Sequence, residues 1–296
     1  MKQCLSILVY HRVLARPDPL QPALPDTRLF ERHMTLLKHC FHVLPLSRAI
    51  ARLRLGTLPP RAASITFDDG YADNATCALP ILQRLGLSAT FFIASDYLDG
   101  GRMWNDDVIA GVRQARQSVL RLAVPGCDAL QVHTLHQRQH AIEKLLQALK
   151  YLPARQRQAL ACSLAPDRQE ELMMRSEDVR TLLAAGMEIG AHTASHPILA
   201  RQADADAYAD MQRGKAALED ITQTPVHLFA YPNGKPGVDF DQRHAGMASQ
   251  LGFRAAVTTA PGAAHAASDP LQLPRYTPWE QDRPRFLLRL LASRRH

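Results

Sequence analysis

Two short stretches carry side chains whose types and spacing fit chemistry at a divalent metal ion. In "SITFDDGYADN" (64–74) an apolar run stops at two adjacent carboxylates, Asp68 and Asp69, followed by a glycine. Neighbouring side chains on a strand point to opposite faces, so burying both Asp residues within a strand is costly. At a strand end both can turn from one loop into one cleft, one as a ligand and the other as a proton acceptor. In "GAHTASHP" (190–197) His192 and His196 stand four residues apart, directly after a second β-type run. One helical turn or one loop can converge both imidazoles. Two His and an Asp with open positions suit Zn2+ or a similar divalent ion, with Co2+, Ni2+ and Mn2+ as alternatives. Such an ion lowers the pKa of bound water toward ~7 and polarises a carbonyl. Plainer readings exist, since Asp-Asp-Gly is ordinary turn chemistry and a single His is more often structural than a ligand. A third stretch, "FAYPNG" (229–234), reads by itself as a strand-terminating turn.

Residues so far apart in the chain need elements that bring strand ends together. The β-type runs are "SILVYH" (6–11), "FHVL" (41–44), "SITF" (64–67), "ATFFIA" (89–94), "MEIGAH" (187–192), "HLFAY" (227–231) and "FRAAVTT" (253–259), with "LPRY" (273–276) as an eighth. Helical patterns alternate with them, among them "LFERHMTLLKHC" (29–40), "SEDVRTLLAAG" (176–186) and "AYADMQRGKAALEDI" (207–221). The second of these predicts Ser176 as its N-cap and Gly186 as its stop. Strands alternating with helices indicate βαβ units, and seven or eight strands favour a (β/α) barrel, whose sites sit at the C-terminal strand ends. Both Asp residues fall there. From about 108 to 166 the rhythm breaks into Gln-, Arg- and Leu-rich helical sequence, which reads as a helical insertion within one domain spanning 1–296.

Composition bounds the rest. With 296 residues, 46% hydrophobic and 21% charged, the chain reads as a soluble globular protein with a full-sized core. No apolar run is long enough for a transmembrane helix, and "MKQCLSILVYHRV" reads as a strand rather than a signal peptide. Five scattered cysteines without a C-x-x-C pair argue against a disulfide framework or a structural zinc site and point to a reducing, cytoplasmic compartment. The net charge of +7 comes from dispersed Arg residues without aromatic interleaving, which speaks against nucleic acid as a partner.

Taken together, "TFDDG", "HTASH" and "YPNG" resemble the polysaccharide deacetylases, the NodB-homology superfamily of carbohydrate esterase family four. The likeness runs from "ILVYHRV" through "FRAAVTT". It implies a distorted (β/α)7 barrel, with Asp68 as general base and Asp69, His192 and His196 as metal ligands. The family's usual late His has no counterpart after residue 260, where only His265 and His296 occur. The strand that ends in His11 is similar instead to the circularly permuted branch that includes deacetylases of poly-N-acetylglucosamine, which makes His11 the general acid. Leu228 stands where the family's third motif places the Arg that tethers the base, and Arg275 is the candidate to replace it. The backbone N–H of Tyr231 is the expected oxyanion donor, and Trp104 and Asp107 are candidates to line the groove, with a core role for Trp104 as the alternative.

The resemblance implies a hydrolase that removes an N-acetyl group from an amino-sugar glycan, an exopolysaccharide precursor or a glycolipid. A deformylase or another amide hydrolase on the same scaffold, and an inactive carbohydrate-binding protein, remain as alternatives. In "DRPRFLLRLLASRRH" (282–296), Phe286, Leu287, Leu290 and Leu291 fall at helical spacing among Arg residues. A helix of this kind either packs its Leu face on the barrel or lies weakly on an anionic membrane surface. The sequence leaves the sugar, the acyl group and the oligomeric state open.

Overall fold

The computed structural model describes residues 3–295 apart from 123, 125 and 166–170, with only the backbone described for residue 295. His296 lies outside the described residues. In chain order the first elements are β1 (Cys4–Tyr10), α1 (Thr27–Cys40), β2 (His42–Val43), α2 (Leu46–Arg54), β3 (Ala62–Phe67), α3 (Leu79–Leu85) and β4 (Ala89–Ile93). Next come α4 (Trp104–Gln114), β5 (Val119–Arg121), β6 (Ala129–Gln131), α5 (Leu135–Lys150) and α6 (Ala154–Leu164). The chain continues with α7 (Ser176–Ala184), β7 (Glu188–Ala191), α8 (Asp204–Thr222), β8 (Leu228–Ala230) and α9 (Gln242–Gln250). It ends with β9 (Ala255–Pro261), β10 (Ala264–His265), β11 (Leu273–Arg275) and α10 (Arg283–Ala292).

Strand β1 shows why a barrel forms. All of its residues are buried, and successive side chains enter different cores. Leu5 and Ile7 join Phe92, Leu228, Ala230 and Val257, whereas Leu8 and Tyr10 join Phe30 and Met34 of α1 and Phe286 of α10. A strand apolar on both faces needs cover on both, which a parallel sheet wrapped by helices supplies. The sheet runs β10-β1-β3-β4-β7-β8-β9-β11, with β2 paired to the outside of this path on β3. Backbone bonds from Val9 N to Tyr276 O (3.0 Å) and from Tyr276 N to Ile7 O (2.8 Å) join β11 back to β1. The seven parallel staves β1, β3, β4, β7, β8, β9 and β11 thus form the distorted, nearly closed barrel. Each run expected to be a strand overlaps one, but "FHVL" contributes only the two residues of β2 and is no stave.

Helix α7 starts where expected, but Ser176 is its first residue rather than its cap. Arg175 is the N-cap, its N–H donating to Asp178 Oδ2 (2.8 Å), and the carboxylate of Asp99 adds to this by taking the Ser176 N–H (2.9 Å) and hydroxyl (2.6 Å). Gly186, at φ 79°, ends the helix as its type requires.

The chain divides into two compact units, one of residues 1–15, 25–99 and 173–296, the other of 16–24 and 100–172. The barrel is the first. The second has its own apolar core, with Val108, Val112, Leu120, Leu145 and Ala161 in it. Besides helices it contains the antiparallel pair β5–β6, whose strands are only three residues each and left no run in the sequence.

Candidate metal centre and base

The end of β3 turns sharply because two consecutive residues, Asp69 (φ 77°) and Gly70 (φ 95°), are left-handed. Asp tolerates that region better than most residues, and at Gly70 a Cβ would meet Ile93 Cγ2 at 3.0 Å, so the glycine is required there. The turn leaves Asp68 and Asp69 both buried, at 2% and 7% exposure. They leave β3 in different directions and find different partners.

Asp69 meets the two imidazoles. Its Oδ1 lies 3.4 Å from His192 Nε2 and 3.3 Å from His196 Nε2. His192 directly follows β7, and its Nδ1 lies 2.7 Å from the Ala230 carbonyl oxygen. A carbonyl only accepts, so Nδ1 carries a proton and Nε2 is the nitrogen turned to Asp69 and available to an ion. The loop that follows carries His196 inward through two left-handed residues, Thr193 (φ 62°) and His196 (φ 52°). For non-glycine residues such conformations cost on the order of 1–3 kcal/mol each. Among their compensations is the bond from His196 N to Thr193 Oγ1 (3.1 Å).

These three side chains fit a divalent ion. Asp69 Oδ1 is buried and has no hydrogen-bond partner, although a buried carboxylate oxygen normally has one. Donors bound at about 2.0–2.1 Å around a tetrahedral ion stand about 3.4 Å apart. Both His–Asp separations match that spacing. Burial works against charge on Asp69, but the facing imidazoles, and then nearby His11, hold its carboxyl well below the usual range.

Asp68 has a different environment. Arg275, on β11, grips both its oxygens, Nη1 to Oδ1 at 2.7 Å and Nη2 to Oδ2 at 2.6 Å. The guanidinium also donates to the Thr258 carbonyl (2.7 Å) and to Thr66 Oγ1 (3.2 Å), so its orientation is fixed on several sides. Burial pushes the Asp68 carboxyl up. The Arg275 charge, then His192, outweigh it, and the net direction is downward. Asp68 is therefore ionised at neutral pH.

The other candidates fall in different places. His11 follows β1, is exposed, and has its carbonyl held by Asn74 Nδ2 at 2.8 Å. Its side chain lies near enough to influence both Asp68 and Asp69. His265 pairs with Cys4, at the opposite end of the strand that leads to His11. The Tyr231 N–H, expected to be an oxyanion donor, is not free: it donates to Val257 O at 3.2 Å, because the β8–β9 ladder extends one residue past β8. Its hydroxyl bonds the Leu271 carbonyl (2.9 Å) and its ring stacks on Phe240. Asp107, expected to line a groove, belongs to the second unit and its side chain is 0% exposed, paired with Arg102 at 2.8 Å. Trp104 is in the same unit, half-buried beneath the Arg157 guanidinium.

Two positioning groups escaped the sequence. The Ala230 carbonyl that sets the His192 tautomer is backbone and has no residue-type signal. Asp210, on α8, accepts from the loop between the two histidines and lies outside any motif.

The family model described as Polysaccharide deacetylase matches residues 56–158 and 139–256, more than half of the chain. A curated relative from Bacillus subtilis (strain 168), named "Putative polysaccharide deacetylase YxkH", is 34% identical over 91 residues, 30% of this chain. That match spans 31% of the relative's own length, under a third. Among solved structures, the Streptococcus pyogenes deacetylase PplD in complex with acetate superposes with a TM-score of 0.67 at 18% identity, covering 98% of this chain and 99% of its own. IcaB from Ammonifex degensii gives 0.63 at 16% identity, covering 98% and 97%. A de-N-acetylase from Aggregatibacter actinomycetemcomitans gives 0.64 at 17% identity, covering 97% and 100%. At such identities these likenesses establish the barrel fold.

Proposed function

This chain belongs to the polysaccharide deacetylase family, and from that premise we propose that it is a metal-dependent hydrolase removing an N-acetyl group from an amino-sugar glycan, an exopolysaccharide precursor or a glycolipid. The observation that carries the proposal is the pairing of unlike carboxylates: Asp69, with an unpartnered oxygen between two imidazoles, beside Asp68 in the fork of Arg275. Asp69, His192 and His196 would hold the ion, and Zn2+ suits this donor set best. When bound, the ion supplies Lewis acidity and a water of lowered pKa.

The chain's own groups supply the proton transfers. Asp68 accepts a proton from the attacking water at a carboxylate oxygen. The Arg275 fork uses one lone pair on each oxygen and leaves the others free. Being ionised at neutral pH, Asp68 is a base before substrate arrives, and the fork fixes its aim. As the C–N bond breaks, His11 gives a proton to the leaving nitrogen, so amide and water become carboxylate and amine. Adjacent Asp residues thus hold different roles because their partners reach them from opposite sides of β3, Arg275 from β11 and the imidazoles from the end of β7.

All five cysteines are free, which supports a reducing, cytoplasmic setting. Among the described residues no helix is long and apolar enough to cross a membrane. The test is a panel of N-acetyl- and N-formyl-amino sugars and glycolipids incubated with metal-loaded protein, reading released acetate and formate. Acetate is the expected product. Formate alone would make the chain a deformylase, and neither acid from metal-replete protein would leave a carbohydrate-binding role.

A further inference from the structure

The loop that carries His196 has no regular structure of its own and is pressed onto α8. Consecutive N–H groups of Ala194 and Ser195 both donate to Asp210 Oδ1, at 2.9 and 3.0 Å. The Ser195 hydroxyl donates to Asp210 Oδ2 at 2.7 Å, and Arg213, one turn further along the helix, donates to the same oxygen at 2.9 Å. Arg213 reaches on to Asp96, whose own N–H donates to the Ala194 carbonyl at 3.0 Å. Tyr97 Oη closes the other side on the Ser195 carbonyl at 3.0 Å.

Gly214 makes this approach feasible. A Cβ there would lie 2.3 Å from the Thr193 carbonyl carbon and 2.4 Å from its oxygen, distances no side chain can occupy. Asp210 and Gly214 are four apart, so both face the loop from one side of α8. The helix offers a carboxylate at one turn and bare backbone at the next. Two left-handed residues that would relax if released are thereby held, and His196 Nε2 stays 3.3 Å from Asp69 Oδ1.

We infer that Asp210, with Gly214 beside it, is the positioning residue that presets the His196 loop for metal binding. It touches neither metal ligand's imidazole and acts through the loop backbone. The inference rests on the metal-centre reading above, because without an ion at Asp69, His192 and His196 there is nothing to preset.

Chelator competition for Zn2+, with the visible spectrum of the Co2+-loaded protein and the melting temperature of the metal-free protein, separates positioning from bulk stability. Outer partners of metal ligands typically contribute about 10–100-fold in affinity. Asp210→Ala is expected to weaken Zn2+ binding by about that factor and to alter the Co2+ bands. Asp210→Asn, which keeps one acceptor oxygen for the two N–H groups, should fall between Ala and wild type. Gly214→Ala should weaken binding through displacement of Thr193. Affinity and Co2+ spectrum unchanged in folded Asp210→Ala, whatever its melting temperature, would overturn the inference. If Asp210→Ala does not fold, Asp210→Asn decides, and wild-type affinity in that variant overturns it equally. Failure of the parent reading looks different: wild-type protein without bound ion, or His196→Ala retaining it.

Discussion

The division of labour between Asp68 and Asp69 is a statement about single atoms and is testable one side chain at a time. Asp68→Asn should keep its bound ion and lose most activity, whereas Asp69→Asn should lose both. Metal analysis beside rate measurement distinguishes them, and equal metal loss would end the assignment. His11→Ala should hold metal normally and slow by roughly 10²–10⁴-fold, the usual contribution of a positioned acid. With Asp68 as the proposed base, Arg275 is expected to set the acid limit of activity. Its charge favours ionised Asp68, so Arg275→Met should move the acid limb of the pH–rate profile to higher pH. The same depressed carboxyl stabilises the fold above its unfolded pKa, and that contribution disappears as pH falls through the folded value. Removing Arg275 also strands a buried charge at a cost of about 3–5 kcal/mol, so the profile is best read at low temperature. The motif residues were legible because each pair lies within a few positions of the other. The Arg275–Asp68 contact spans 207 residues and had only an empty place in a motif to point to it. The occupied N–H of Tyr231 depends on ladder register, which residue types do not encode.

At the scale of elements, α10 shows where periodicity reads correctly and where it misses. Its Phe286 and Leu290 are fully buried against the barrel, as the packing alternative requires. Leu288 (66% exposed), Leu291 (37%) and Trp279 (61%) face outward instead, with Arg285 and Arg289 alongside Trp279. A four-residue Leu face over-counted the core and under-counted the surface, because helical spacing gives a direction but not the width of the partner. Weak adhesion to anionic membranes would therefore use Leu288, Leu291 and Trp279. Truncating the helix is a poor test, since it would also uncover the barrel. Sedimentation with anionic vesicles of Leu288→Ser combined with Leu291→Ser is the better one: lower binding is expected, and binding equal to wild type would leave α10 a packing element only. The start of α7 was misplaced by one residue, since Ser176 signalled a cap that Arg175 and Asp178 supply and that Asp99 reinforces from another segment.

At the scale of the whole molecule, alternation of strands and helices was enough to read the barrel, because each stave is an apolar run bounded by turn residues. The second unit left a weaker signal, with strands of three residues and helices rich in Gln and Arg. Its main segment leaves the barrel after Asp99 and returns at Met173, and the Asp99 N–H bonds the Met174 carbonyl at 3.2 Å. Exit and return thus meet at one hydrogen bond within the barrel unit. Replacing residues 101–171 by a short Gly-Ser bridge should leave a folded barrel that still binds one ion, read by circular dichroism and metal analysis. An unfolded product would show that the barrel depends on the segment removed.

The β1–β11 seam has a consequence for the order of events during synthesis. Asp68 is translated early, but the guanidinium that balances its charge arrives with β11, near the end of the described chain. Until β10 and β11 are made, the first stave has β3 on one side and no neighbour on the other. A nascent barrel lacking residue 275 would have to keep Asp68 hydrated and the seam open, since burying the carboxylate alone is prohibitively expensive. Closure is then a late, long-range step of the kind that makes folding slow. Asp68 and the final stave come into register together, so under the proposed function activity is expected only once the barrel is complete.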